Sequence, residues 1–237
     1  MGSLQIFPLE TIPEVAPGDD LAGLIAEAAV REERQLAAGD VVVVTQKVVS
    51  KAENCLVAID PDDPLSHKPL VEAESVRILR RRGDLIVSET RHGFVCANAG
   101  IDLSNIERGY AALLPEDSDR SARRIRDGLR HRAGVEVAVI ISDTFGRPWR
   151  RGLTDVAIGC AGITAIADLR GTEDAQGRVL QVTEVCVVDE LASAAELIMG
   201  KASGVAAAVV RGVDPDWLGD GSVHDQVVRL PAEDLFR

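Results

Sequence analysis

Acidic and hydroxyl side chains follow apolar runs at two places in the chain, where they could hold a metal ion. Asp143 and Thr144 come directly after the run "VEVAVIIS", and Asp102 follows the run "GFVCANAGI". Carboxylates at strand ends without neighbouring His or Cys suit Mg²⁺ or Mn²⁺, which bind through one or two carboxylates plus substrate phosphates. The alternative is that both aspartates cap turns, and spacing alone favours that alternative.

Basic side chains stand near two predicted strand ends, where they could bind phosphate or carboxylate groups. The segment "TQKVVSKAE" (45–53) places Lys47 and Lys51 just after four valines, and "GRPWRRG" (146–152) contains three arginines. Lysine binds phosphate as a point charge, and the planar guanidinium of arginine binds carboxylates bidentately. The lysines could equally lie exposed on an amphipathic continuation of the strand, and packing explains Trp149 better than stacking on a ligand ring.

Composition limits the classes of protein that this chain can belong to. Its 237 residues are 46% hydrophobic and 27% charged, which is typical of a globular protein. The formal net charge of −12 argues against non-specific binding to nucleic acid or anionic membranes. Four widely spaced cysteines without a CxxC pair indicate reduced thiols. With no export signal and no apolar stretch of membrane-spanning length, we expect a cytoplasmic protein.

The apolar patterns predict the elements that must position these side chains. Periodicity of the helical kind predicts helices over residues 20–36, 70–82, 120–134 and 189–200. Apolar runs predict strands over residues 40–49, 135–142, 179–188 and 205–212, and a hairpin over 84–100. The irregular order of helices and strands favours an α/β or α+β fold with a partly antiparallel sheet, in a single domain over residues 1–237.

Sequence motifs of the common nucleotide-binding folds are not present. The segment "MGKASG" resembles a phosphate-binding loop, but Ala195 stands at the first glycine position and Ala202 follows Lys201. No G-x-G-x-x-G follows a strand, and neither G-x-S-x-G nor H-E-x-x-H occurs. The fold is therefore predicted to be neither a Rossmann nor a P-loop fold.

Six segments, taken in order, resemble the coenzyme F-420-0:L-glutamate ligase (gamma-glutamyl ligase) family. Together they run from about residue 6 to residue 212. The segments are "FPLETIPEVAPGDDLAGLI", "GDVVVVTQKVVSKAE", "NAGIDLSN", "ISDTFGRPWRRGLTDVAIG", "DLRGTEDAQGRVLQVTEVCVVDELASAAELIMGK" and "VVRG". Each motif is weak alone, but six in order are specific.

The resemblance implies an activity, cofactors and partners. It implies a GTP-dependent ligase that joins L-glutamate to the lactyl carboxylate of F-420-0 through an acyl phosphate and then adds further gamma-linked glutamates. Family members are homodimers with an unusual α/β fold, and they use Mg or Mn ions, often with potassium. The actinobacterial relatives carry a flavin reductase-like domain after the ligase domain. The chain's end at "AEDLFR" is compatible with such a two-domain protein and equally with a stand-alone ligase.

The resemblance also assigns residues. Metal ligands are Asp102, Asp143 and Thr144. Nucleotide contacts are Ile12, Pro13, Glu14, Val15, Gln46, Lys47, Lys51, Asn105, Met199, Gly200, Lys201, Ala202, Ser203, Gly204, Val205 and Ala206. We assign Asp143 and Arg147 to catalysis, and Arg150 and Arg151 to the anionic substrates. One departure concerns a second metal, since archaeal members carry an acidic residue in the segment that here contains Lys201.

Two other functions use the same residues. A metal-dependent nucleotide phosphohydrolase would employ the carboxylates with water as the acceptor. A non-catalytic GTP-binding module would bind nucleotide without any turnover.

Overall fold

The computed structural model describes residues 2–235, which contain twelve strands and six α-helices. The strands are β1 (Gln5–Leu9), β2 (Val41–Thr45), β3 (Leu56–Ala58), β4 (Ser75–Arg82), β5 (Leu85–Thr90), β6 (Val95–Ala97), β7 (Tyr110–Ala112), β8 (Ala138–Gly146), β9 (Leu153–Ala161), β10 (Ile166–Asp168), β11 (Glu184–Cys186) and β12 (Ala207–Arg211). The α-helices are α1 (Leu21–Arg31), α2 (Gln46–Ala52), α3 (Lys68–Ala73), α4 (Ser118–Ala133), α5 (Val187–Met199) and α6 (Val223–Gln226).

A five-stranded sheet in the order β1-β12-β2-β8-β9 forms the centre of the structure. Only β2 and β8 are parallel neighbours, and the other three pairs are antiparallel. The prediction of a mixed, partly antiparallel sheet is therefore confirmed. No helix in the described part of the chain is long and apolar enough to cross a membrane.

Helices cover both faces of this sheet, and the valines of β2 show why. Val42 and Val44 pack with side chains of α1 and α4 on one face, whereas Val41 and Val43 pack with α5 on the other. None of the four has any exposed surface. Because successive side chains of a strand point to opposite faces, an unbroken apolar run is what a strand buried on both sides requires.

The parallel pairing of β2 with β8 determines where the polar strand ends meet. Thr45 lies opposite Ser142 in the register of the two strands. Carboxyl ends of parallel strands lie at the same edge of a sheet. The residues that follow β2 and the last residues of β8 are thus brought to one place, although they are far apart in sequence.

Close packing joins the start of α4 to β9. Asp117 caps the helix by accepting a hydrogen bond from the backbone N–H of Arg120 at 2.8 Å. Asp119, in the first turn, accepts one from the backbone N–H of Cys160 at 2.8 Å. A Cβ on Gly159 would lie 2.3 Å from the carbonyl carbon of Ser118, so only glycine permits this approach.

Three element predictions are corrected by the structure. The helix predicted over residues 70–82 is limited to α3, which ends at Ala73. The residues from Ser75 onward form β4 instead, because they pair with β5 in a three-stranded sheet. The strand predicted over 40–49 ends at Thr45, where α2 begins. The strand predicted over 179–188 shrinks to β11, since the apolar residues from Val187 onward belong to the buried face of α5. In each case tertiary packing overrides the local pattern.

Two further boundaries differ from the prediction. The helix predicted over residues 20–36 ends at Arg31, and Glu33 just beyond it has a positive φ of 56°, which a helix cannot continue through. Two strands of the central sheet, β1 and β9, were not predicted at all.

Candidate active site

The carboxyl ends of β2 and β8 form one wall of a cleft of about 420 Å³. Most of the residues to which the sequence assigns chemistry line this cleft. They are Glu14, Lys47, Lys51, Asp102, Asn105, Asp143, Thr144, Met199, Gly200, Lys201, Gly204, Val205 and Ala206. Five separate parts of the chain are thus brought together at one site.

Asp143 lies within β8 opposite Val156 and so does not cap a turn. Its Oδ1 accepts a hydrogen bond from the backbone N–H of Thr144 at 2.8 Å. Burial raises the pKa of Asp143 to about 7, and the negative charges of Asp102 and Asp155 act in the same direction. A carboxylate whose own neighbours disfavour its negative charge is well suited to a bound cation.

Asp102 combines a structural contact with an ion pair. Its Oδ1 accepts hydrogen bonds from the backbone N–H and the hydroxyl of Ser104 at 2.7 and 2.8 Å, so the turn-capping interpretation is correct for this residue. Its Oδ2 lies 2.9 Å from the Nζ of Lys47. Burial alone would raise the pKa of Asp102, but the hydrogen bonds from Ser104 and Lys47 outweigh it and lower the pKa below its ordinary value. The carboxylate is therefore charged at neutral pH.

A second lysine on α2 is also already paired. The ammonium of Lys51 contacts the carboxylate of Glu14 and donates to the backbone oxygen of Asn105 at 3.0 Å. The side chain of Asn105, whose φ of 51° is in the left-handed region, donates to the backbone oxygen of Lys201 at 3.3 Å. These contacts connect α2, the loop that contains Asn105 and the loop that follows α5, which line the cleft on different sides.

The structure adds two acidic residues that sequence reasoning missed. Asp155 on β9 is 2% exposed, and its Oδ1 accepts hydrogen bonds from the hydroxyl of Thr144 at 2.5 Å and from the Nζ of Lys201 at 3.1 Å. Glu196 on α5 lies 3.6 Å from the same Nζ and lines the cleft. A single carboxylate inside the apolar stretch "LTDVAIGCA" was the available signal for Asp155.

The other predicted residues lie outside the lining of the cleft. Gln46 is buried, and its amide donates to the backbone oxygen of Leu113 at 3.1 Å, so it stabilises the fold. The arginines of the β8–β9 turn are exposed, since the two strands carry the turn out into solvent. Predicted residues that do not line the cleft are Ile12, Pro13, Val15, Gln46, Ala202, Ser203, Arg147, Arg150 and Arg151.

The donor atoms in the cleft fit a divalent ion that shares its coordination with substrate. Within residues 2–235, no group of three or more His, Cys, Asp or Glu side chains is arranged to hold a metal by itself. Asp102, Asp143 and Thr144, all with oxygen-bearing side chains, nevertheless line one cavity. Mg²⁺ and Mn²⁺ commonly bind through one or two carboxylates and complete their shell with phosphate and water. The site therefore suits a divalent ion whose remaining coordination positions are filled by a ligand and water.

Comparison with known proteins identifies the family. The sequence profile described as "F420-0:Gamma-glutamyl ligase" matches residues 10–212 of the chain. The chain belongs to this family. Two similar proteins, each named "Coenzyme F420:L-glutamate ligase", come from Methanopyrus kandleri and Methanothermobacter thermautotrophicus. The first is 45% identical, with 100% of both chains aligned, and the second is 44% identical, with 99% of both aligned. A third of the same name, from Haloarcula marismortui, is 39% identical over 99% of this chain and 96% of its own.

Membership of the gamma-glutamyl ligase family confirms the resemblance drawn from the six ordered segments. The mixed α/β architecture agrees with that expectation, and it is neither a Rossmann nor a P-loop fold. Five of the six segments contribute at least one residue to the lining of the cleft; the exception, "VVRG", lies mainly in β12 of the central sheet.

Proposed function

We propose that this protein is a coenzyme F-420:L-glutamate ligase that uses GTP to join L-glutamate to the lactyl carboxylate of F-420-0 and then adds further gamma-linked glutamates. The observation that carries the proposal is a single cleft, in a chain of this family, that combines carboxylates suited to a divalent ion with ammonium groups suited to phosphate. The use of GTP, the acyl phosphate and the repeated addition of glutamate are supported by the family resemblance.

The chemistry explains why the site needs so many charges. The γ-phosphoryl group of GTP is transferred to an oxygen of the lactyl carboxylate, which forms an acyl phosphate and releases GDP. The amine nitrogen of glutamate then attacks the acyl carbon, inorganic phosphate leaves, and the nitrogen loses a proton as the amide forms. Nucleotide, acceptor and glutamate are all anionic, so a chain with a net charge of −12 must supply cations locally.

The residues of the cleft divide this task between them. Asp102 and Asp143 are the proposed ligands of Mg²⁺ or Mn²⁺, which when bound neutralises charge on the phosphate oxygens. Lys47, Lys51 and Lys201 bring three ammonium groups to the same cleft, where they bind and orient the anionic oxygens of the nucleotide. Lys47 and Lys51 lie on α2 directly after β2, Asp143 lies near the end of β8, and Lys201 follows α5, so the fold fixes these groups relative to one another.

Mass spectrometry of F-420-0 incubated with GTP, Mn²⁺ and L-glutamate tests the proposal. We expect products heavier by one and then more glutamyl units, with one GDP formed for each unit added. Equal turnover with ATP would contradict the use of GTP. The Asp143→Asn variant, which keeps the side-chain volume and loses the charge, serves as the inactive control.

The same experiment separates the alternatives. Release of phosphate from GTP at an equal rate without glutamate and F-420-0 would identify a nucleotide phosphohydrolase. Binding of GTP with no product under any of these conditions would identify a non-catalytic module.

Potassium, a cytoplasmic location and a homodimer are also part of the proposal. Potassium is supported by the family resemblance, and the location by four free thiols, which suit a reducing compartment. The apolar stretch 156–167 is mostly buried inside the chain and so does not support a dimer interface. Exposed apolar side chains on the three-stranded sheet, such as Val76 at 70% exposure, support an interface instead. A mass of 25.3 kDa by light scattering would contradict the dimer.

A further inference from the structure

Asp155 joins two functional walls of the cleft through one buried carboxylate. It stands on β9 directly opposite Thr144 of β8, so both side chains are on the same face of the sheet. The hydroxyl of Thr144 donates to its Oδ1 at 2.5 Å, and the hydroxyl of Ser142 donates to its Oδ2 at 3.1 Å. Both oxygen atoms of the carboxylate are therefore occupied by groups of β8.

Lys201 supplies the positive charge that this buried carboxylate requires. Its Nζ donates to Oδ1 of Asp155 at 3.1 Å, and Oε1 of Glu196 lies 3.6 Å from the same Nζ. The lysine is on the loop that follows α5, and its side chain is 59% exposed. An exposed lysine normally samples many rotamers, so the two carboxylates determine where this ammonium stands.

We infer that Asp155 is a positioning residue, which fixes the ammonium of Lys201 and the hydroxyl of Thr144 so that both face the phosphate groups of a bound nucleotide. The inference rests on the proposed function, since it names a residue that prepares the same cleft. Asp155 itself is 2% exposed, and its oxygen atoms are occupied, so it does not contact the ligand. It acts through Lys201 and Thr144, because groups fixed in advance lose less entropy when the ligand binds.

A double-mutant cycle on nucleotide affinity tests this inference. The variants are Asp155→Asn, Lys201→Ala and the two combined, and calorimetry measures the dissociation constants of GDP and of pyrophosphate in the presence of Mn²⁺. We expect each single variant to bind GDP about tenfold more weakly, and the double variant to lose clearly less than the two single losses combined, the remainder beyond Lys201→Ala coming from Thr144. Asp168→Asn is the matched control, since Asp168 is also paired with a cation, Arg170, but lies on exposed β10 away from the cleft.

Each outcome decides for or against the inference. Additive losses would show that Asp155 does not act through Lys201, and unchanged GDP affinity in Asp155→Asn with a lower melting temperature would show that it serves the fold alone; either result overturns the inference. Lys201→Ala is at an exposed position and will fold even if Asp155→Asn does not, and normal affinity in that variant also overturns the inference. If the wild-type protein binds pyrophosphate but not GDP, GTP is removed from the proposed function. The same comparison of variants, made with pyrophosphate affinities, then tests the role of Asp155. Wild-type protein that binds neither refutes both.

Discussion

Asp143→Asn should make the metal-free protein more stable at alkaline pH while abolishing its ligase activity. Burial and the nearby charges of Asp102 and Asp155 raise the pKa of Asp143 from its ordinary value of 3.8 to about 7. The folded state therefore holds an ionised carboxylate at a cost that the unfolded chain does not bear. Asparagine keeps the oxygen that accepts the hydrogen bond from Thr144 and removes the charge.

The size and pH dependence of this effect follow from proton linkage. A tenfold change in proton affinity corresponds to about 1.4 kcal/mol, so a pKa of about 7 instead of 3.8 lowers the free energy of unfolding by up to about 4 kcal/mol. Because the pKa is raised on folding, the wild-type protein loses this stability as the pH rises from about 4 to about 7, and the loss is constant above that range. At about pH 5 the cost is less than half of its full value.

Urea unfolding followed by far-ultraviolet circular dichroism, in the presence of a chelator, measures the difference. We expect Asp143→Asn to exceed the wild type by about 2 to 4 kcal/mol at about pH 8, and by clearly less at about pH 5. Asp168→Asn is the control, since Arg170 holds the pKa of that exposed carboxylate at about 2 and its removal should give no gain at either pH. A destabilised Asp143→Asn variant, or a gain that does not change with pH, would refute the electrostatic reasoning.

Three further outcomes are expected. Binding of Mn²⁺ must displace the proton of Asp143, so calorimetry should show an affinity that falls about tenfold for each pH unit below about 7. Lys47→Met removes the ammonium that competes for Asp102, and we expect tighter Mn²⁺ binding without nucleotide but weaker GDP binding, both by calorimetry. Gly159→Ala forces a Cβ against the start of α4 and should cost about 3 kcal/mol or more, whereas Gly219→Ala, with no atom within 4 Å of its Cβ, should leave the melting temperature nearly unchanged.

The two aspartates can be found from the sequence because each stands at the end of an apolar run. The sequence does not show that the two aspartates share one cleft. Their proximity depends on the parallel pairing of β2 with β8 and on the backbone bridge between Asp102 and Ala112. Asp155 is not predicted from the sequence for a related reason. It lies inside a strand, β9, that the pattern does not predict, and its importance comes from the residue opposite it across the sheet.

The segment 70–82 shows the opposite limit, where a clear local pattern misleads. Its charged and apolar residues have helical spacing, yet Ser75–Arg82 forms β4. Arg77 lies opposite Glu89 of β5 in the register, and their side chains form an ion pair at 3.1 Å. Long-range pairing of this kind is absent from any local window, and it outweighs a helix propensity worth only fractions of a kcal/mol per residue.

The charges of the cleft couple metal binding to nucleotide binding. All three lysines are already paired, Lys47 with Asp102, Lys51 with Glu14, and Lys201 with Asp155 and Glu196. Such a cleft has little net positive charge to offer an anionic nucleotide. A divalent ion that binds Asp102 releases the ammonium of Lys47, which then becomes available to phosphate oxygens. By reciprocity, nucleotide that engages Lys47 frees Asp102 for the ion, so each ligand should strengthen the binding of the other.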